Sequence, residues 1–191
     1  MTSGVTTAAV VLAAGEGTRF AGEVPKLVAP FRGQPLWTWA VDAATAAGLD
    51  EVIVVIGAVD LGTELERRGV TVARQPRWHE GQALSLLAGV AAARTSGHGA
   101  VVVGLADQPL VGVDTWRAVA AASARPIAVA SFDGDRRPPV RLAAEVWPLL
   151  AQSGDEGARV LMRERPDLVA AVPCTGEPGD IDTVEDLQRW S

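Results

Sequence analysis

The sequence predicts an α/β fold: a mostly parallel sheet with helices on both faces. Three observations lead there. Short apolar, β-branched runs alternate with helical patterns along the chain, these runs are apolar at consecutive positions, and glycine or proline punctuates the joins. Strands that are apolar on both faces belong to a sheet covered on both sides, the arrangement that helical crossovers produce.

The elements follow in order. Thr7–Ala13 is a strand running into Gly15-Glu16-Gly17. Trp37–Ala47 reads as a helix with Trp37, Val41 and Ala44 on one face and Gly48 as its stop. Glu51–Ile56 is a second strand and Val70–Ala73 a short third. Gln82–Arg94 is a helix that turns Leu86, Leu87, Val90 and Ala93 to the core. Ala100–Leu105 is an uninterrupted apolar strand leading into Ala106-Asp107-Gln108-Pro109, and Asp114 is placed as the N-cap of a helix through Ala122. Ile127–Phe132 and Leu168–Val172 are later strands, and Val184–Trp190 is a closing helix. No repeat, low-complexity tract or linker divides the chain, so residues 1–191 read as one domain.

Composition narrows the function classes. The chain has 191 residues, 48% of them hydrophobic and 21% charged, with a net charge of −6. Arg and Lys are scattered rather than clustered, which argues against nucleic acid or an anionic membrane as partner, since both need a basic face. A small anionic ligand needs only a few cations in one cleft. The single cysteine, Cys174, excludes an intramolecular disulfide and a multi-cysteine zinc site, and it fits a reducing cytoplasm. No apolar run approaches the roughly 20 residues of a membrane helix. No positive residue precedes the first apolar stretch, so no export signal is expected. A cytoplasmic setting is the expectation.

In a parallel sheet, ligands bind beyond the carboxyl ends of the strands, so the turns there carry the functional signal. The first turn is Leu12-Ala13-Ala14-Gly15-Glu16-Gly17-Thr18-Arg19-Phe20, followed by Pro25-Lys26-Leu27. Small residues let the backbone approach an anion with its N–H groups pointing inward, and Arg19 and Lys26 bring positive charge to phosphates. The plainer alternative is a tight strand-to-helix turn with two solvated cations. A dinucleotide fingerprint does not fit: Phe20 stands where its third glycine belongs, and Ile56-Gly57-Ala58 lacks the acid that would meet a ribose. A phosphate-binding Gly-Lys-Ser/Thr loop does not fit either, because Lys26 lies between Pro25 and Leu27.

The second turn is Asp107-Gln108-Pro109, where a carboxylate closes the most apolar strand and must be solvated, used as a cap or bound to a cation. The third is Gly179 through Leu187. It reads as a strand in which Asp180 and Asp182 face opposite ways, so that only one of them shares a site with Asp107. Thr183 is expected to cap the last helix, with Asp186 at the box position. Magnesium takes one or two carboxylates beside phosphate oxygens and water, so two aspartates from separate strand ends next to a phosphate loop make a metal–nucleotide site.

These segments together resemble the MobA-like NTP transferases, and among them the molybdenum cofactor cytidylyltransferases. The likeness is carried by Leu12 to Arg19, Pro25-Lys26-Leu27, Gly33-Gln34-Pro35-Leu36, Gly81 with Ser85-Leu86, Asp107-Gln108-Pro109, Gly154 to Arg159, and Asp180 to Leu187. The resemblance implies a Rossmann-like, three-layer nucleotide-diphospho-sugar transferase fold. It implies that Leu12, Ala13, Ala14, Gly15, Gly17 and Lys26 hold a triphosphate, and that Asp107 and Asp182 hold Mg2+. The implied reaction is attack by an acceptor phosphate on the α-phosphorus of an NTP, with Lys26, Arg19 and Asp107 as the catalytic residues and pyrophosphate as the leaving group. The acceptor implied is molybdopterin or molybdenum cofactor, and the product would pass to a molybdoenzyme or a cofactor-insertion protein. A sugar or polyol phosphate as acceptor, and a regulatory protein that binds nucleotide without turnover, are the alternatives. The histidines His79 and His98 are expected at the surface, and the scattered tryptophans in packing.

Two details bear on specificity. Guanylyltransferases of this group tend to carry Leu-Ala-Gly-Gly where cytidylyltransferases carry Leu-Ala-Ala-Gly. This chain has Ala14, which with Gly81 and Ser85 beside the base favours CTP. The group's usual Arg-Gly-His-Pro is replaced by Arg136-Arg137-Pro138-Pro139, which leaves the acceptor's identity open.

Overall fold

The computed structural model describes residues 5–191; residues 1–4, on which part of the export-signal expectation rests, lie outside them. Its strands are Thr7–Ala13 (β1), Pro30–Phe31 (β2), Gln34–Pro35 (β3), Glu51–Ile56 (β4), Thr71–Arg74 (β5), Ala100–Leu105 (β6), Ile127–Phe132 (β7), Asp135–Ala143 (β8) and Val169–Pro173 (β9). Seven of them form one sheet in the order β5-β4-β1-β6-β8-β7-β9, while β2 and β3 make a small separate ribbon. All neighbours in the large sheet run parallel except β8, which is antiparallel to both β6 and β7.

Consecutive apolar residues in the strands feed two cores in alternation. Ala9, Val11 and Ala13 of β1 face one side, where Leu36–Ala46 (α1), Gly62–Arg67 (α2) and Val113–Ala121 (α4) bring Trp37, Val41, Ala44, Leu65, Trp116 and Val119. Ala8 and Val10 face the other, where Gln82–Thr95 (α3), Arg159–Glu164 (α5) and the 3-10 segment Ala144–Leu149 bring Leu86, Val90, Ala93, Leu161 and Trp147. The three-layer α/β architecture expected from the strand composition is therefore present. A third cluster of Phe31, Leu36 and Ile181, joined by Leu187 and Trp190, ties Val184–Trp190 (α6) to the β2–β3 ribbon. Among the described residues, no helix is long and apolar enough to cross a membrane.

Some expectations change. The cap of α4 is Gly112, and Asp114 lies within the first turn, where its charge meets the positive helix end instead of closing it. Thr183 does cap α6: its hydroxyl accepts from the Asp186 N–H at 3.1 Å, and the Asp186 carboxylate accepts from the Thr183 N–H at 2.9 Å. The sequence reading missed β8 because Pro138 and Pro139 argue against a strand: neither has an N–H for the ladder. The register between β7 and β8 shifts at Val129/Ala130, opposite those prolines, so the pair is accommodated as a bulge inside the strand. The short helices α2 and α5 offer too few turns for a periodic pattern.

Candidate functional site

The carboxyl ends of β1, β4 and β6 lie on one edge of the sheet, and the turns after β1 and β6 border a cleft of about 650 Å³. The first loop, Ala14 to Arg19, forms one wall; Gly81, Gln82 and Ser85 at the start of α3 form another; Asp107, Asp180 and Asp182 close the end. Every residue anticipated for the nucleotide and metal lines this cleft except Ala13, which is buried just beneath it.

Gly17 has φ +71°, and a Cβ there would fall 2.9 Å from Cβ of Lys26. Glycine thus lets the loop turn left-handed and close over the lysine stem. Lys26 is 8% exposed as a result. Gly81, at φ +113°, makes a similar close approach: its Cβ would sit 2.6 Å from the Gly154 carbonyl oxygen, which accepts the Ala83 N–H at 2.9 Å. That contact lays the Gly154–Arg159 segment over the start of α3 and brings Asp155 and Arg159 into the cleft, two residues to which the sequence reading gave no role.

The charges interlock. Nζ of Lys26 donates to Oδ2 of Asp107 at 2.6 Å and lies 3.5 Å from Oδ1 of Asp182. Nη1 of Arg19 is 2.9 Å from Oδ2 of Asp182. Gln108, only 2% exposed, donates its side-chain amide to Oδ1 of Asp180 at 2.7 Å and to the Pro178 carbonyl at 3.2 Å, and Arg137 stands 4.0 Å from the other Asp180 oxygen. Burial holds the Asp180 carboxyl above the usual carboxylate range; the Asp107 charge adds to this, and the Gln108 hydrogen bond opposes it.

The expectation that Asp180 and Asp182 face opposite ways is overturned, because both line the cleft. The segment is an irregular loop rather than a strand. In an extended stretch, residues two apart share a side, and it is Ile181 between them that turns away, 0% exposed, into the third apolar cluster. The Ile181 N–H donates to the Asp107 carbonyl at 2.9 Å and locks the two segments together. Alternation correctly applied would have found the third carboxylate. Among the described residues, no group of three His, Cys, Asp or Glu side chains makes a ready metal cage. What the cleft offers is a partial set of hard oxygen donors, the kind that suits a cation sharing its shell with phosphate and water.

His79 is exposed, as expected, and lines the cleft. His98 is not a surface residue: its side chain is 7% exposed, with Nε2 2.7 Å from Glu51 and Nδ1 3.1 Å from the Thr6 hydroxyl, at the amino ends of β1 and β4 away from the cleft. Of the tryptophans, Trp37, Trp116 and Trp147 are in the cores and Trp78 reaches the cleft.

A second cavity of about 270 Å³ adjoins the first and shares Leu12, Gln82, Leu105 and Arg159 with it. Leu86, Val103, Val129, Val140 and Met162 make its lining apolar; Arg136, Arg137, Arg159 and Arg163 stand around it, with Glu156 accepting two hydrogen bonds from Arg163 at 3.0 Å. The bulge in β8 is what places Arg136 and Arg137 there.

Residues 9–169 match the MobA-like NTP transferase domain. Nicotine blue oxidoreductase of Paenarthrobacter nicotinovorans is 37% identical over 94% of this chain and 94% of its own length. A nucleotidyl transferase from Methanothermobacter thermautotrophicus superposes with a TM-score of 0.83 at 25% identity, covering 96% of this chain and 95% of that one. Rv0371c of Mycobacterium tuberculosis, solved in complex with manganese, superposes with a TM-score of 0.78 at 28% identity, covering 97% of each chain. A domain match over most of the chain, a relative alike along its whole length and a shared sheet lead to one assignment: this chain belongs to the MobA-like NTP transferases, a family of nucleotidyltransferases.

Proposed function

We propose that residues 1–191 act as one domain that transfers CMP from CTP to the phosphate of a small acceptor with a flat apolar body, of the molybdopterin class. The observation that carries this reading is the pairing of two adjoining cavities: a charged cleft with three aspartates and two loop cations, and an apolar cavity ringed by arginines. A sugar or polyol phosphate would leave the apolar lining of the second cavity unmatched, whereas a fused-ring body fills it and its phosphate meets the arginines.

In the transfer, an acceptor phosphate oxygen forms a bond to the α-phosphorus, the bond from that phosphorus to the bridging oxygen breaks, and pyrophosphate departs with the electron pair. The nucleophile is already anionic, so no protein base is required. The backbone of Leu12 to Gly17 holds the triphosphate. Lys26 offsets charge at the α- and β-phosphates, and Arg19 offsets charge on the departing pyrophosphate. Ala14, Gly81 and Ser85 flank the base.

Asp107 and Asp182 would hold the divalent cation, Mg2+ in this reading, with Asp180 beside them. Their hard oxygens and incomplete set fit such an ion, and a structural relative carries manganese, a cation of the same preference. When bound, the ion supplies charge neutralisation across the reacting phosphates. The setting proposed is the cytoplasm, with the product delivered to a molybdoenzyme or an insertion protein.

The name of the Paenarthrobacter relative favours a second reading, a redox reaction. Against it, Phe20 and Ile56-Gly57-Ala58 deny the first loop and the end of β4 the features that hold a nicotinamide dinucleotide. One experiment separates these readings: incubation with each NTP and with molybdopterin, a sugar phosphate or a polyol phosphate, scoring pyrophosphate, alongside an assay of NAD(P)H oxidation. Pyrophosphate from CTP and molybdopterin alone is the expected result. Pyrophosphate with the sugar or polyol phosphate, or NAD(P)H oxidation without pyrophosphate, would overturn it.

A further inference from the structure

Lys26 and Arg19 occupy the same carboxylates that a cation would need. One oxygen of Asp107 is bonded to the Lys26 ammonium at 2.6 Å, and the two oxygens of Asp182 lie 3.5 Å from Lys26 and 2.9 Å from Arg19. Lys26 cannot simply swing out to solvent: it is 8% exposed, its stem lies under Gly17, and Pro25 precedes it in the 3-10 turn Lys26–Val28. A divalent cation seated on Asp107 and Asp182 would stand within a few ångströms of that ammonium, in a partly covered site where like charges repel strongly.

A triphosphate changes the balance. Laid along the first loop, it offers both cations a new anionic partner, and Arg19, exposed and on the loop itself, is free to follow it. We infer that Lys26 and Arg19 form an internal lock on the metal site, released by the nucleotide, so that the divalent cation binds with or after the NTP and not before it. The inference rests on the reading of Asp107 and Asp182 as metal ligands. The lock gives the two carboxylates internal counter-ions without making them a standing trap for free metal.

The test is a Mn2+ titration, followed through the paramagnetic resonance of the free ion, with and without CTP and with no acceptor. Wild type, Lys26→Met and Lys26→Gln are compared, each alone and combined with Asp182→Asn, together with Asp107→Asn. Without CTP, wild type is expected to bind Mn2+ weakly, and both Lys26 variants to bind it roughly tenfold tighter or more. Adding Asp182→Asn should abolish that gain, which ties it to this site. Phosphate chelation plays no part in the nucleotide-free titration, so it isolates the lock. Folded Lys26 variants that bind free Mn2+ no tighter than wild type would overturn the lock, while weakened Mn2+–CTP binding by Asp107→Asn would leave the metal site standing. If Asp107→Asn leaves Mn2+–CTP binding untouched, the metal-site reading itself fails.

Discussion

Alanine at Gly15 and alanine at Gly17 separate ligand contact from backbone conformation within one loop. At Gly17 the backbone is left-handed at φ +71°, which costs an alanine about 1–2 kcal/mol. The new Cβ would also fall 2.9 Å from Cβ and 3.1 Å from Cε of Lys26, so the buried stem must shift, at a further cost of about 1 kcal/mol or more. A loss of about 2–3 kcal/mol corresponds to a drop in Tm of roughly 5–10 °C for a chain of this length. At Gly15 no atom lies within 4 Å of the position of a Cβ, and the residue is outside the left-handed region. Alanine there should leave Tm unchanged, or raise it slightly through the loss of about 0.4–1 kcal/mol of unfolded-chain freedom.

The order reverses for ligand binding. Gly15 lines the cleft, so in the proposed binding mode its open space is space for the nucleotide, and a methyl group there would hold phosphate oxygens off the backbone donors. Losing one charge-assisted hydrogen bond costs about 1.5–3 kcal/mol, or roughly ten- to a hundredfold in Kd. Thermal melts of both variants and calorimetric titration with CTP and Mg2+ measure the two effects. Wild-type affinity for CTP in Gly15→Ala would refute the placement of the triphosphate, and an unchanged Tm in Gly17→Ala would refute the backbone argument.

Three further outcomes are expected. If the proposed metal site holds, Asp107→Asn or Asp182→Asn should lower pyrophosphate release roughly a hundredfold or more with the fold intact, because each would remove an anionic ligand needed most in the transition state; near-normal turnover with magnesium would exclude that role. Burial pushes the Glu51 carboxyl up, but hydrogen bonds from Thr71 and His98 outweigh it and hold it below its ordinary value, so its stabilisation is present above the unfolded carboxylate range and is lost as pH falls through the folded value. Glu51→Gln should therefore lower Tm at about pH 7 by roughly 2–4 °C, for a loss of about 1 kcal/mol, and the difference should vanish toward about pH 3; a gap that stays constant with pH would count against the pairing. Ala14→Gly should relax the proposed CTP preference toward GTP without abolishing turnover, since in that reading the methyl group narrows the space beside the base; tighter GTP than CTP binding by wild type ends that argument.

Much of this architecture was legible because each strand is apolar on both faces. Thr7–Ala13, Glu51–Ile56, Ala100–Leu105 and Ile127–Phe132 emerge with the bounds their composition sets, and the turns after the first and third of them border the cleft. What stayed hidden depends on long-range contact. The antiparallel β8 carries two prolines that only the bulge opposite β7 accommodates. Gln108 looked like a turn residue, yet its buried amide bridges Asp180 and Pro178, some seventy positions away. His98 has polar sequence neighbours, but its partner Glu51 is brought to it by the parallel alignment of β1 with β4 and β6.

The charged cleft and the second cavity are built on different parts of the fold. The first loop and Asp107 follow β1 and β6, whose residues pack into both cores. Arg136, Arg137, Arg159 and Arg163 stand instead on a bulged strand and a short helix at the margin of the second cavity, where a change of side chain disturbs no core. Relatives that share the scaffold can therefore carry names as different as nucleotidyl transferase and nicotine blue oxidoreductase. In this chain four arginines and Glu156 stand around an apolar lining, and in the proposed reading that combination, rather than the sheet beneath it, is what selects an anionic, ring-bearing acceptor.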